Sequence, residues 1–285
     1  MDALGSAFFA QASSIVLLYP YRDYVSVHSF KNGLPWPDGN FFIDRYRGML
    51  SNPSQPAILA TPFATLFGAY FSTYRATESL VVAAIVGGTS FSFVKAATSV
   101  FAHRMGSTTG SASGKLHFEY SSPLDMVRAS TAKHGALAWF QGGLVLMPAH
   151  VIWHGFTAAR LHASHHLTGP PRFLDDWFMA ARIHATGCFF SAPFRNIPRA
   201  ALFAKDKVKC GTPLEFAQRE VQVVRESAGA AQRVLRSEGP LAFFHGTLRG
   251  VFRTSIPFGF SFALWRAAFD VRLAPTGLRG YSRVV

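Results

Sequence analysis

Ser237-Glu238-Gly239-Pro240-Leu241-Ala242-Phe243-Phe244-His245-Gly246 decides how this chain is read. A polar segment reaches Glu-Gly, two aromatics and a Gly follow, and a nearly uncharged stretch then runs through Arg253 and Pro257 to Asp270. The same order occurs twice upstream. Lys133-His134-Gly135 leads to Trp139-Phe140-Gln141-Gly142 and an apolar run containing Pro148. Asp38-Gly39 leads to Tyr46-Arg47-Gly48 and an apolar run containing Pro53, Pro56 and Pro62. From Gly48 to Gly142 is 94 positions and from Gly142 to Gly246 is 104, so the chain reads as three copies of one unit.

Working outward, 285 residues suit one large domain or two ordinary ones. Hydrophobic residues make up 49% and charged residues only 15%, less than the roughly 25% usual in soluble domains. The 28 Phe residues suffice for a large apolar exterior. A net charge of +13 favours anionic partners, and the hydrophobic bias makes lipid or solute a better partner than nucleic acid. Cys188 and Cys210 are too few for a disulfide framework and read as reduced thiols.

No Asp, Glu, Lys or Arg occurs in 3–21, 49–74 or 135–159. Each run approaches or exceeds the roughly twenty residues needed to cross a bilayer core. Three shorter uncharged runs, 79–94, 183–194 and 254–265, span only if their helices extend through Lys95, Arg182 or Arg253. Such charges then face protein or a water-filled interior. Six segments, two per unit, is the simplest expectation; a soluble helical protein with long core helices is the alternative. The first residues carry no secretory signal or Arg-rich transit pattern, so an organelle address is expected to be internal.

The glycine triplets, paired apolar segments and near-hundred-residue period together resemble the mitochondrial carrier family over nearly the whole chain. The resemblance implies an all-α membrane protein with six transmembrane helices in three pseudo-symmetric repeats, each with a short matrix helix. The repeats fall at 1–77, 78–170 and 171–285 of a single domain. It implies a multi-pass protein of the mitochondrial inner membrane. It also implies cardiolipin phosphate held at the aromatic–basic–Gly turns, by Arg47 and Gly48, Gly142 and Gly246. The physics is sound, because helix N-termini offer unpaired N–H groups to anions. Only Tyr46-Arg47-Gly48 keeps the basic residue; Gln141 and His245 replace it elsewhere.

Carriers end their odd helices in Pro-x-acid-x-x-base, whose charges pair across repeats to shut the matrix gate. Here Pro20 is followed by Arg22 at the acid position and Val25 at the basic one; Pro193 is followed by Arg195 and Pro198. Repeat two offers Ala96 or Ala97, without Pro or acid. The literal match Pro123-Leu124-Asp125-Met126-Val127-Arg128 lies too near Gly135 and reads as the start of a matrix helix. Arg22 and Arg195 at equivalent positions repel, so such a gate closes poorly. In repeat one, Lys31–Gly39 with Gly33, Pro35 and Pro37 leaves no room for a regular helix. Near the ends of the even helices, Phe71…Arg75, Phe156…Arg160 and Phe262…Arg266 keep an aromatic and an Arg without the acid. Arg beside lipid headgroups is the simpler reading of these.

Solute contacts in the family lie seven or eight positions past each triplet Gly: here Gln55, His150 and Arg253. Together they could cradle a small anion, or else hydrogen-bond across a collapsed cavity. His154 shares a face with His150. His162-x-x-His165-His166 lacks a nearby fourth ligand and is not taken as a metal site. No nucleophile, base and orienting group assemble, so neither enzyme activity nor a cofactor is expected. Thr212 and Pro213 open a polar helix that reads as a solvated surface or a docking face. Lost gate charges with retained packing features point to a transport-incompetent accessory subunit of a larger inner-membrane assembly, a respiratory-chain or ATP-synthase complex. An active carrier with remodelled gates, for a small anion, is the alternative.

Overall fold

The computed structural model describes residues 3–28, 43, 54–106, 123–164, 169–202 and 210–269, and every regular element among them is helical. Six rods dominate. They are α1 (Ala3–His28), α2 (Ser54–Thr77), α3 (Leu80–Gly106), a composite rod, α7 (Phe173–Leu202) and α9 (Thr247–Phe269). The composite rod joins α5 (Gly143–His150), a π-helical turn (Val151–Gly155) and α6 (Phe156–His162). Two amphipathic helices lie between rods: α4 (Pro123–His134) and α8 (Pro213–Glu238). The shortest long helix, α9, has 23 residues, or about 35 Å at 1.5 Å per residue.

The rods form a closed ring. α1 packs on α2, α2 on α3, α3 on the composite rod, that rod on α7, α7 on α9, and α9 returns to α1. Alanine makes much of this packing: Ala7, Ala10, Ala83, Ala84, Ala158 and Ala180 are all in the core. Small residues let backbones approach, and Gly155 marks the tightest point, where a Cβ would lie 2.2 Å from the Ala84 carbonyl oxygen.

The described parts of the six uncharged runs are largely helical, and α3, α7 and α9 run through Lys95, Arg182 and Arg253. Arg182 and Arg253 are exposed, however, so these two charges do not face the interior as expected. Among the described residues, two stretches are long and apolar enough to cross a membrane by length and composition: Leu80–Thr98 and Ala136–His162. The other rods fall short because Ser, Thr, His and Arg dilute their apolar residues. The ring is apolar outside and partly polar within. Val81, Val82, Ile85 and Val86 of α3, and Leu174, Phe178, Phe189, Phe190 and Phe194 of α7, are exposed. His150, His154, His184, Arg195, Ser255 and Arg266 are buried.

The glycine triplets have a local physical basis. Gln141 (φ −57°, ψ 133°) and Gly142 (φ 87°, ψ 1°) have the dihedrals of a type II turn, whose third residue needs positive φ. Before the turn, Gly135 (φ 82°) ends α4 and a 3₁₀ turn spans Ala136–Phe140. The later unit repeats this: Gly239 (φ 78°) ends α8, a 3₁₀ turn spans Pro240–Phe244, His245 sits at φ −58°, ψ 132°, and Gly246 has φ 70°. The backbone thus requires Gly, while the preceding residue is free to be Gln or His. Pro123 begins α4, as read from the sequence. α8 begins with a complete capping box between Thr212 and Glu215 and with Pro213 in its first turn.

Candidate functional site

Side chains occupy the centre of the ring. A break in helical register helps bring them there. The π turn interrupts α-helical register at Val151–Gly155, stacking Trp153 and His154 with ring centroids 4.5 Å apart. π turns occur often at functional positions. From α7, His184 meets His154 at 5.3 Å and stacks on Phe258 of α9 at 4.2 Å. Phe91 of α3 lies 4.0 Å from the His154 ring and 5.0 Å from His150. Phe63 of α2 lies 5.3 Å from His154. A void of about 10 Å³, room for about one water, remains beside this cluster among Gln11, Phe63, Phe67, Phe258 and Ser261.

The polar atoms of the cluster are only partly satisfied by one another: the Nδ1 atoms of His150 and His154 are buried and make no hydrogen bond. Trp153 Nε1 donates to His184 Nδ1 at 3.4 Å, and Ser255 Oγ lies 2.9 Å from the same nitrogen. His184 Nε2, on the other side of the ring, has no hydrogen-bond partner. Arg195, also buried, lays its guanidinium over the Trp153 ring at 4.7 Å and donates to Cys188 Sγ at 3.2 Å. Its Nε has no hydrogen-bond partner, and no carboxylate among the described residues pairs with it. Gly250 makes room for it: a Cβ there would lie 3.2 Å from the guanidinium.

Two carboxylates do work that sequence reading missed. Glu220 of α8 is buried and accepts from the Gly142 N–H at 2.6 Å and the Leu144 N–H at 2.8 Å, so it caps α5 with an internal anion. Asp176, in the first turn of α7, pairs with the fully buried Arg266 of α9 and accepts the Arg172 N–H at 3.0 Å. The only sequence signal for either was an acidic residue near the start of a helix.

The expected site residues separate. His150 lies in the cluster. Arg253 is exposed, beside exposed Arg249 and Phe252, whereas the core-facing side of α9 carries Ser255, Phe258 and Phe262. Arg253 therefore does not join His150 as expected, and the cation buried beside the cluster is Arg195. Gln55 lies in the first turn of α2, and its side chain is outside the described residues. Arg47 and Gly48 are also outside them, as are Lys31–Gly39 and His165-His166. At Gly142 the amide expected for a lipid phosphate is engaged by Glu220, which corrects that reading there. Gly246 is exposed, and its turn is held by Asn196 Nδ2 donating to the Phe243 and His245 carbonyls. Pro20 and Arg22 lie within α1, which continues to His28; Pro193 and Arg195 lie within α7, which continues to Leu202. Arg75 and Arg160 are exposed near helix ends, but Arg266 is buried against Asp176, so the headgroup reading is corrected for that residue. His162 is buried with Nδ1 3.1 Å from Tyr70 Oη. Among the described residues no group of three or more metal-binding side chains assembles.

No protein-family model matches the chain, and no curated protein matches it.

Proposed function

We propose that this chain is a carrier-fold protein of the mitochondrial inner membrane that does not transport, and serves as a structural subunit of a larger inner-membrane assembly. One observation carries the reading. The centre of the ring is packed with Phe63, Phe91, Trp153, His154, His184 and Phe258 where a solute would pass. Arg195 faces inward onto Trp153, away from the charge-pairing role of a gate. The apolar exterior of α3 and α7 supports immersion in lipid, because groups of exposed apolar side chains such as Val81, Val82, Ile85 and Val86 are unusual on a surface that faces water. The three triplets ending at Gly48, Gly142 and Gly246 in sequence, with like turns at Gly142 and Gly246, support the carrier fold. The exposed Gly246 turn and, in sequence, Arg47-Gly48 support binding of an anionic lipid such as cardiolipin.

Native electrophoresis after mild-detergent extraction tests this. The chain is expected to migrate with an assembly of several hundred kilodaltons, and purified protein in liposomes to show no saturable exchange. Migration as a small species with robust uptake overturns it. A second reading, transport of a small anion, is favoured by one observation only: a buried Arg195 with no carboxylate partner among the described residues. Saturable anion exchange in liposomes, lost in Arg195→Met while the protein stays folded, would establish that reading.

A further inference from the structure

The second face of α8 carries an inference beyond the packing of the ring. One face of this helix, with Glu220, Val223 and Ser227, is buried against α5 and α7. A neighbouring face presents Leu214, Val221, Ala228 and Leu235 at intervals of seven, with Ala217, Val224 and Ala231 interleaved. The spacing alternates three and four residues without a break across three heptads, the pattern that seats one helix along another. These side chains are exposed, except Ala231, which is half-buried. Leu214 is 68% and Val221 54% exposed, an unusual state for a continuous aliphatic seam.

The composition of the seam and its flank identifies the occupant. Five of the seven positions, all those between Leu214 and Leu235, are Ala or Val, which adds little to insertion into lipid but allows close helix–helix approach. One flank of the seam is the ring itself. The other bears Gln218, Arg225, Gln232 and Arg236, all exposed, and neither arginine has an ion-pair partner among the described residues. A second copy laid antiparallel along this seam would bring Arg225 against Arg225, which repels. The complementary partner is an α-helix with an aliphatic stripe and Asp or Glu along one edge. Glu220 and the capping box fix α8 in place, so the seam is presented as a rigid surface.

We propose that the outer face of α8 is the docking seam for an acid-flanked amphipathic helix of a neighbouring subunit. This rests on the assembly reading above and names the surface and the kind of partner. A photo-cross-linking amino acid placed singly at Val221, Val224 and Ala228, and at Gln222 and Gly229 as a flank pair farther from the seam than Arg225, tests it in the full chain within native membranes. The expected result is cross-linking from the three seam positions at about tenfold the yield of the flank pair, since only side chains in a helix–helix seam contact the partner. The cross-linked peptide, identified by mass spectrometry, should belong to another polypeptide and read as an acid-edged heptad helix. Val224→Glu should lower the assembled fraction on native gels about tenfold, as a buried unpaired charge does at an interface. Arg225→Glu, which leaves the seam's packing intact, should weaken assembly and do so less at high salt. Cross-links to lipid, to a second copy, to the chain's own residues 270–285, or equally from all five positions overturn the seam. Wild-type chain in a large assembly with unaffected seam variants overturns the seam and leaves the assembly reading standing. Wild-type chain found only as a small species overturns both.

Discussion

Replacing Glu220 by Ala removes the carboxylate that accepts from the Gly142 and Leu144 amides at 2.6 and 2.8 Å. The two donors are then left in a site where Glu220 itself is only 3% exposed. An orphaned buried donor costs about 1–3 kcal/mol, so the pair gives about 2–6 kcal/mol. A water entering the vacated volume recovers part of this, which places the loss at about 2–3 kcal/mol. The helix N-terminus also loses its compensating negative charge, worth about 0.3–1 kcal/mol. At 1.4 kcal/mol per factor of ten, about 2–3 kcal/mol is about a 30- to 150-fold rise in local opening. Hydrogen exchange of the 142–146 amides in detergent micelles reads that opening directly. Exchange there should accelerate by that factor in Glu220→Ala, with the α2–α3 contact unchanged. Cardiolipin added to the micelles should slow exchange in the variant and have no effect on the wild type, because only the variant leaves the turn open to an external anion. Exchange within twofold of wild type would refute the reasoning, since it would mean that Glu220 does not hold the turn.

Asp176→Asn removes the partner of the fully buried Arg266, and breaking a buried pair costs about 3–5 kcal/mol. Asp176→Asn should therefore lower the midpoint of thermal unfolding followed by tryptophan fluorescence, and Asp176→Leu with Arg266→Met should recover most of the loss. Gly155→Ala places a Cβ 2.2 Å from the Ala84 carbonyl, whereas Gly169 has nothing within 4 Å. The first should destabilise by about 1–3 kcal/mol or more, and Gly169→Ala should unfold within a degree or two of wild type in the same assay.

Residues near one another in sequence determined the local structure. Gly142 was legible because a type II turn demands positive φ at one position, whatever lies elsewhere in the chain. Thr212, Pro213 and Glu215 announced the start of α8, since a capping box closes within four residues. The uncharged runs placed the rods, because a backbone in apolar surroundings must satisfy its own hydrogen bonds. Sequence did not tell which side of each rod would face inward. Arg253 and Arg195 both sit in apolar stretches, and only the closing of α9 against α1 and α7 left the first exposed and drew the second over Trp153. The pairing of Glu220 with Gly142, 78 residues apart, and of Asp176 with Arg266, 90 apart, depended on that same closure. A carboxylate on a polar helix looks identical in sequence whether water or a distant helix end will receive it. The choice is made by desolvation, which exists only once the ring has formed.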